Sequence, residues 1–70
     1  MLTQQELDNR FTYHAPKGNQ QERYVELRAK AKELAELINR NCPDSREKSH
    51  CFTMLEDSIF WANASIARNE

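Results

Sequence analysis

The sequence predicts an all-α fold, and three observations carry that expectation. It holds one glycine and two prolines and few β-branched residues, whereas a sheet protein needs turn residues and strands rich in Val, Ile and Thr. Seven alanines, a charged fraction of 30% and a mean hydropathy of −0.92 are the profile of exposed helices. Two long stretches carry apolar residues spaced 3, 4, 3 and 4 apart, the period of a helix packed at a shallow angle. The expected architecture is a short N-terminal helix followed by an antiparallel hairpin of two long helices, one domain over 1–70, assembling into an oligomeric bundle.

The first element is a short helix over about 3–9, because Thr3 and Glu6 have the spacing of a capping box. Residues 10–19 then read as a loop: Phe11, Tyr13, His14, Pro16 and Gly18 follow no helical period. Pro16 biases Ala15 to extended geometry, Gly18 allows a positive φ, and Asn19 is placed to cap the next helix. That helix spans about 20–41, with Tyr24, Leu27, Ala31, Leu34 and Ile38 on one stripe. Pro43 interrupts it. Asp44 with Glu47, or Cys42 with Pro43 in the first turn, restarts a helix over about 44–69, whose stripe is Phe52, Leu55, Ile59, Ala62 and Ile66. So short a connection makes the two long helices antiparallel neighbours.

Ordering 70 residues costs on the order of 100 kcal/mol of chain entropy, which a core this small barely offsets. The ten stripe residues fill one seam. Leu2, Leu7, Val25, Leu37, Met54, Phe60 and Trp61 lie beside or behind it. The N-terminal helix can cover only part of that surface, so a second interface, and with it a homo-oligomer, is expected.

Several function classes are disfavoured. No apolar run approaches the roughly 18 residues of a membrane span, and the polar start is not a signal peptide, which points to a soluble cytoplasmic protein. Cys42 and Cys51 are too few for a disulfide framework, and with His50 they lack the paired spacing of a zinc site; no metal and no cofactor is expected. Nucleophilic catalysis needs a base oriented beside Cys or Ser in a dry pocket, and nothing supplies one, so no enzyme is expected. The net charge of −1 gives no broad attraction to duplex DNA.

The charge is unevenly spread. From Arg10 to Lys32 six cations face only Glu22 and Glu26, a local +4, while the rest of the chain carries −5. Such asymmetry suits a small anionic ligand or subunits meeting face to face. The plainer alternative is a solvated helical surface with pairs such as Glu26 to Lys30 and Lys32 to Glu36. In the loop, Tyr13 and His14 can stack on a base or sugar, Lys17 and Gly18 can approach a phosphate, and Arg10 and Arg28 can close the site from either side. Phe11 reads better as a core plug, and Tyr13 reads equally well as an interface tyrosine.

The segment Asn9 to Lys17 (NRFTYHAPK), the helix Arg28 to Leu37 (RAKAKELAEL), the turn Cys42 to Ser49 (CPDSREKS) and the ending Trp61 to Asn69 (WANASIARN) together resemble the phage anti-CBASS sponge family. The resemblance implies a helical hairpin that assembles into a hexamer in the infected bacterial cell. There it would sequester the cyclic oligonucleotide messengers of CBASS immunity without cleaving them. For dinucleotides of the cyclic GMP-AMP type it implies a loop tyrosine and a basic residue on the next helix, which here are Tyr13 and Arg28, with Lys30 the alternative. For cyclic trinucleotides it implies a second site where subunits meet, and Arg68 is the candidate there; without the resemblance, Arg68 reads as a complement to its own helix dipole. The competing readings are a small dimeric hairpin that binds RNA phosphates and a protein-interaction module anchored by Met54, Phe60 and Trp61.

Overall fold

The computed structural model describes all 70 residues as three helices and no strands. The first, α1 (Gln4–Phe11), begins at a capping box: the Thr3 hydroxyl accepts from the Glu6 N–H at 3.1 Å and the Glu6 carboxylate accepts from the Thr3 N–H at 3.3 Å. It runs two residues beyond the expected end and takes Arg10 and Phe11 out of the loop, which is thereby shortened to 12–19. Two side chains extend it by binding carbonyls at its C-terminal end that helical geometry leaves without partners. His14 Nε2 lies 2.7 Å from the Asn9 carbonyl and Arg68 Nη2 lies 3.4 Å from that of Arg10. A carbonyl only accepts, so the His14 proton sits on Nε2.

The second helix, α2 (Gln20–Asn41), starts where the sequence places it, but its cap is different. Gly18 takes a φ of +56° as expected. Asn19, however, makes no side-chain capping bond. Gln20 closes the turn instead: its backbone N–H donates to the Lys17 carbonyl at 3.1 Å, and its side-chain Oε1 accepts from the Lys17 N–H at 3.1 Å.

The third helix, α3 (Arg46–Asn69), starts two residues later than expected because Ser45, rather than Asp44 or Cys42, is the cap; its hydroxyl accepts from the Lys48 N–H at 3.1 Å. Asp44 serves another purpose. Lys48, its side chain only 9% exposed, crosses the turn to donate to the Asp44 carboxylate at 3.0 Å and to the Asn39 carbonyl at 3.2 Å. The hairpin tip is thus tied at both strands of chain.

Packing between α2 and α3 supplies nearly all the tertiary structure. On α3 the stripe is as expected, with Phe52, Leu55, Ile59, Ala62 and Ile66 half-buried. On α2 one position differs: Ala35 is half-buried and Leu34 is exposed. A straight helix of 3.6 residues per turn drifts away from the 3.5-residue repeat that would have kept Leu34 in the seam. The expected side-chain ion pairs also differ, since Lys30 meets Glu33 at 3.4 Å and neither Glu26–Lys30 nor Lys32–Glu36 forms.

No apolar residue is fully buried, and the one buried residue of the chain is Gln20, 4% exposed. Leu2, Leu7, Val25, Leu37, Met54, Phe60 and Trp61 are all exposed, and so is Phe11, which plugs no core within the chain. Helix α1 therefore does not cover the surplus apolar surface.

Candidate functional site

Chemistry-bearing residues gather at the open end of the hairpin, where the loop 12–19 passes between α1 and α2 beside the end of α3. Tyr13 stands out from the loop, 82% exposed. His14 is folded back on α1 by its bond to Asn9, which fixes its ring next to Tyr13 in sequence and leaves Nδ1 free. Lys17 is held by its backbone, leaving its ammonium without a hydrogen bond or ion pair.

The two basic residues expected on α2 point into different grooves. Arg28 lines a channel of about 440 Å³ between the long helices, floored by Ala31, Ala35, Leu55 and Ile59 and rimmed by Lys32, Glu56, Phe60 and Asn63. Lys30 lines a groove of about 330 Å³ on the other flank with Arg23, Glu26, Leu27 and Ile66. Residues two positions apart lie about 200° round a helix, so the two cations serve opposite sides. Lys30 is paired with Glu33, whereas Arg28 has no ion pair or hydrogen bond. Within one chain, no hydrogen bond or ion pair joins any two of Tyr13, His14, Lys17, Arg28 and Lys30. Asn63, which also lines the Arg28 channel, has its Oδ1 atom buried without a hydrogen-bond partner.

Arg68 is not a free cation. Its guanidinium donates to the Arg10 carbonyl and lies 6.0 Å from the centre of the Trp61 ring, so it complements the negative end of α1.

The sequence reading missed a network beside this loop. The Arg23 guanidinium grips the Glu70 carboxylate with both terminal nitrogens, Nη1 to Oε2 at 2.9 Å and Nη2 to Oε1, and the Gln20 amide donates to the same Oε1 at 3.4 Å. The Arg23 bond, aided by Gln20, holds the Glu70 carboxyl below its ordinary pKa, and the same contact raises that of Arg23. One signal was available. A carboxylate at the C-terminal end of a helix and a guanidinium near the N-terminal end of another each oppose their own helix dipole. An antiparallel hairpin sets them side by side.

No cluster of His, Cys, Asp or Glu is arranged to hold a metal, and Cys42 and Cys51 are exposed free thiols. No helix is long and apolar enough to cross a membrane.

A family model described as the Acb2/Tad1 hairpin domain matches residues 3–67, taking in all of α1, the loop, α2 and the hairpin turn and nearly all of α3. The chain belongs to the Acb2/Tad1 hairpin family. No curated protein and no solved structure gives a significant match. Membership agrees with the resemblance seen in the sequence and with the observed hairpin, and it suggests an anti-CBASS sponge role.

Proposed function

We propose that this Acb2/Tad1 hairpin protein is a sponge that binds cyclic dinucleotide messengers of bacterial CBASS defence and withholds them uncleaved from their effectors. The observation that carries the reading is Tyr13: an 82% exposed aromatic ring, on a loop held at both ends, in a chain of this family. Tyr13 stacks on a base, Arg28 takes a phosphate, and Lys17 and His14 stand beside the ring; Lys30 replaces Arg28 if the opposite groove is used. Because the chain leaves large apolar side chains exposed, we read the pocket as assembled from two protomers, Tyr13 of one meeting the basic groove of another, within a homo-oligomer and, by the family resemblance, a hexamer. A ligand with two phosphates needs few cations, which suits a chain of net charge −1.

A second site for cyclic trinucleotides at Arg68 is part of the same proposal. There the guanidinium would have to exchange the Arg10 carbonyl for phosphate.

Calorimetric titration of the purified protein with cyclic GMP-AMP tests the reading. Saturable binding at micromolar or lower concentration, with the nucleotide recovered intact, is the expected result. Tight binding of a structured RNA with no heat from the dinucleotide would replace the sponge with the RNA-binding hairpin. Tyr13→Ala should weaken dinucleotide binding by about tenfold or more, the worth of one stacked base, with the oligomer mass unchanged.

A further inference from the structure

The last turn of α3 reaches both flanks of the Tyr13 loop. On the upstream side Arg68 holds the Arg10 carbonyl at 3.4 Å. On the downstream side Glu70 holds Gln20 and, bidentately, Arg23. These contacts span 58, 50 and 47 residues of sequence, so they are tertiary ties and not products of local helix geometry. Gln20 relays the second tie into the loop, because the amide that donates to Glu70 also accepts from the Lys17 N–H through Oε1. It is the only buried residue of the chain. A side chain with both its donor and its acceptor engaged at a buried position is held in one rotamer, and it fixes the backbone it touches.

We propose that Gln20 and Glu70 are positioning residues for ligand capture: with Arg23 they form a clamp, anchored on α3, that holds the Tyr13–Lys17 loop in its binding geometry before the nucleotide arrives. The role rests on the sponge reading, while the clamp itself is independent of it. A loop ordered in advance saves the entropy of ordering on binding, and this is how a protein with no catalytic step gains retention. Neither Gln20 nor Glu70 needs to touch the ligand. The charge-assisted Arg23–Glu70 contact secures the end of α3, and Gln20 transmits that position to Lys17.

The test compares the full chain with its Gln20→Ala and Glu70→Gln variants. Three readouts are taken together: exchange of the Lys17 amide without ligand, the calorimetric affinity for cyclic GMP-AMP, and helicity with oligomer mass. The clamp predicts faster Lys17 exchange in both variants. It also predicts an affinity lower by about tenfold, carried by a less favourable binding entropy, in protein of unchanged helicity and mass. Substituting Gln20, which bonds Lys17 directly, should have the larger effect. Unchanged Lys17 exchange in the Gln20→Ala protein overturns the clamp. Faster exchange with unchanged affinity overturns its role in capture. Failure of the unmodified protein to bind cyclic GMP-AMP overturns the sponge reading and the capture role with it, but Lys17 exchange then still reports whether the clamp exists.

Discussion

Gly18 carries the one positive φ of the chain, +56°, with open space where a Cβ would stand. Replacing it by alanine meets no clash, so the cost is the backbone alone, about 1–2 kcal/mol for an L-residue in that region. Gly18→Ala should lower the midpoint of chemical denaturation accordingly and shift the loop, while Asn19→Ala, which removes no capping bond, should leave it nearly unchanged. Glu70 makes a pH-dependent prediction. Its native pKa lies below the ordinary value because the Arg23 guanidinium, Gln20 and, more remotely, Lys17 favour the carboxylate. A group with a depressed folded pKa stabilises the fold above its unfolded value, about 4.3 for glutamate, and loses that contribution as pH falls through the native one. The thermal stability gap between the unmodified protein and Glu70→Gln should therefore be full above about pH 4.3 and close in more acid solution. Arg23 stays protonated throughout and does not complicate the profile. At this scale the sequence was legible where chemistry is local. The capping box of Thr3 and Glu6 and the positive φ of Gly18 each depend on a few neighbouring residues. The Gln20–Glu70 contact was not legible, because it forms only once the hairpin has closed.

The helices show the same division between local and long-range causes. Helix α2 and the seam face of α3 follow from apolar spacing, which states the burial pattern directly. Boundaries were less legible where several residues compete for one job. Cys42, Asp44 and Ser45 all suit the start of α3; Ser45 wins because Asp44 is drawn to Lys48, which the turn has already brought over the Asn39 carbonyl. Ser45→Ala should then cost about 1 kcal/mol in denaturant unfolding, the usual worth of an N-cap. Lys48→Met tests the other half of the arrangement: it keeps the packed stem, removes both Lys48 bonds at the tip, and should speed amide exchange at Cys42, Asp44 and Ser45 without shortening α2. Phe11 joined α1 instead of the loop because His14 and Arg68 satisfy carbonyls at the helix end. One of those partners lies 58 residues away and no inspection of the first twenty residues could supply it.

Seen whole, the chain is a thin plate, 46 × 32 × 13 Å, with a radius of gyration of 15.5 Å, where a compact chain of this length would have about 11 Å. Its accessible surface is 5898 Å², against about 4,600 Å² for a folded monomer of this mass. The excess is more than the roughly 800 Å² that each partner contributes to a standard protein interface. It coincides with large apolar side chains, Phe60 at 63% and Trp61 at 68% exposure among them, and with the absence of any buried apolar residue. Hydrophobic burial is the dominant favourable term in folding; in the proposed homo-oligomer association would supply it, and folding and assembly should be one transition. The midpoint of thermal unfolding should rise with protein concentration, and the mass in solution should be a multiple of 8.3 kDa. Phe60→Glu sets a charge on the rim of the Arg28 channel, where a second copy would have to pack. It should lower the mass and, in the same samples, the helicity, because the released chain keeps only a half-buried seam between its long helices. A Phe60→Glu protein that sediments as one chain yet melts cooperatively at an unchanged temperature would mean that the hairpin is self-sufficient. A site shared between protomers would then lose its physical basis, and Tyr13 and Arg28 would have to hold the ligand within one chain.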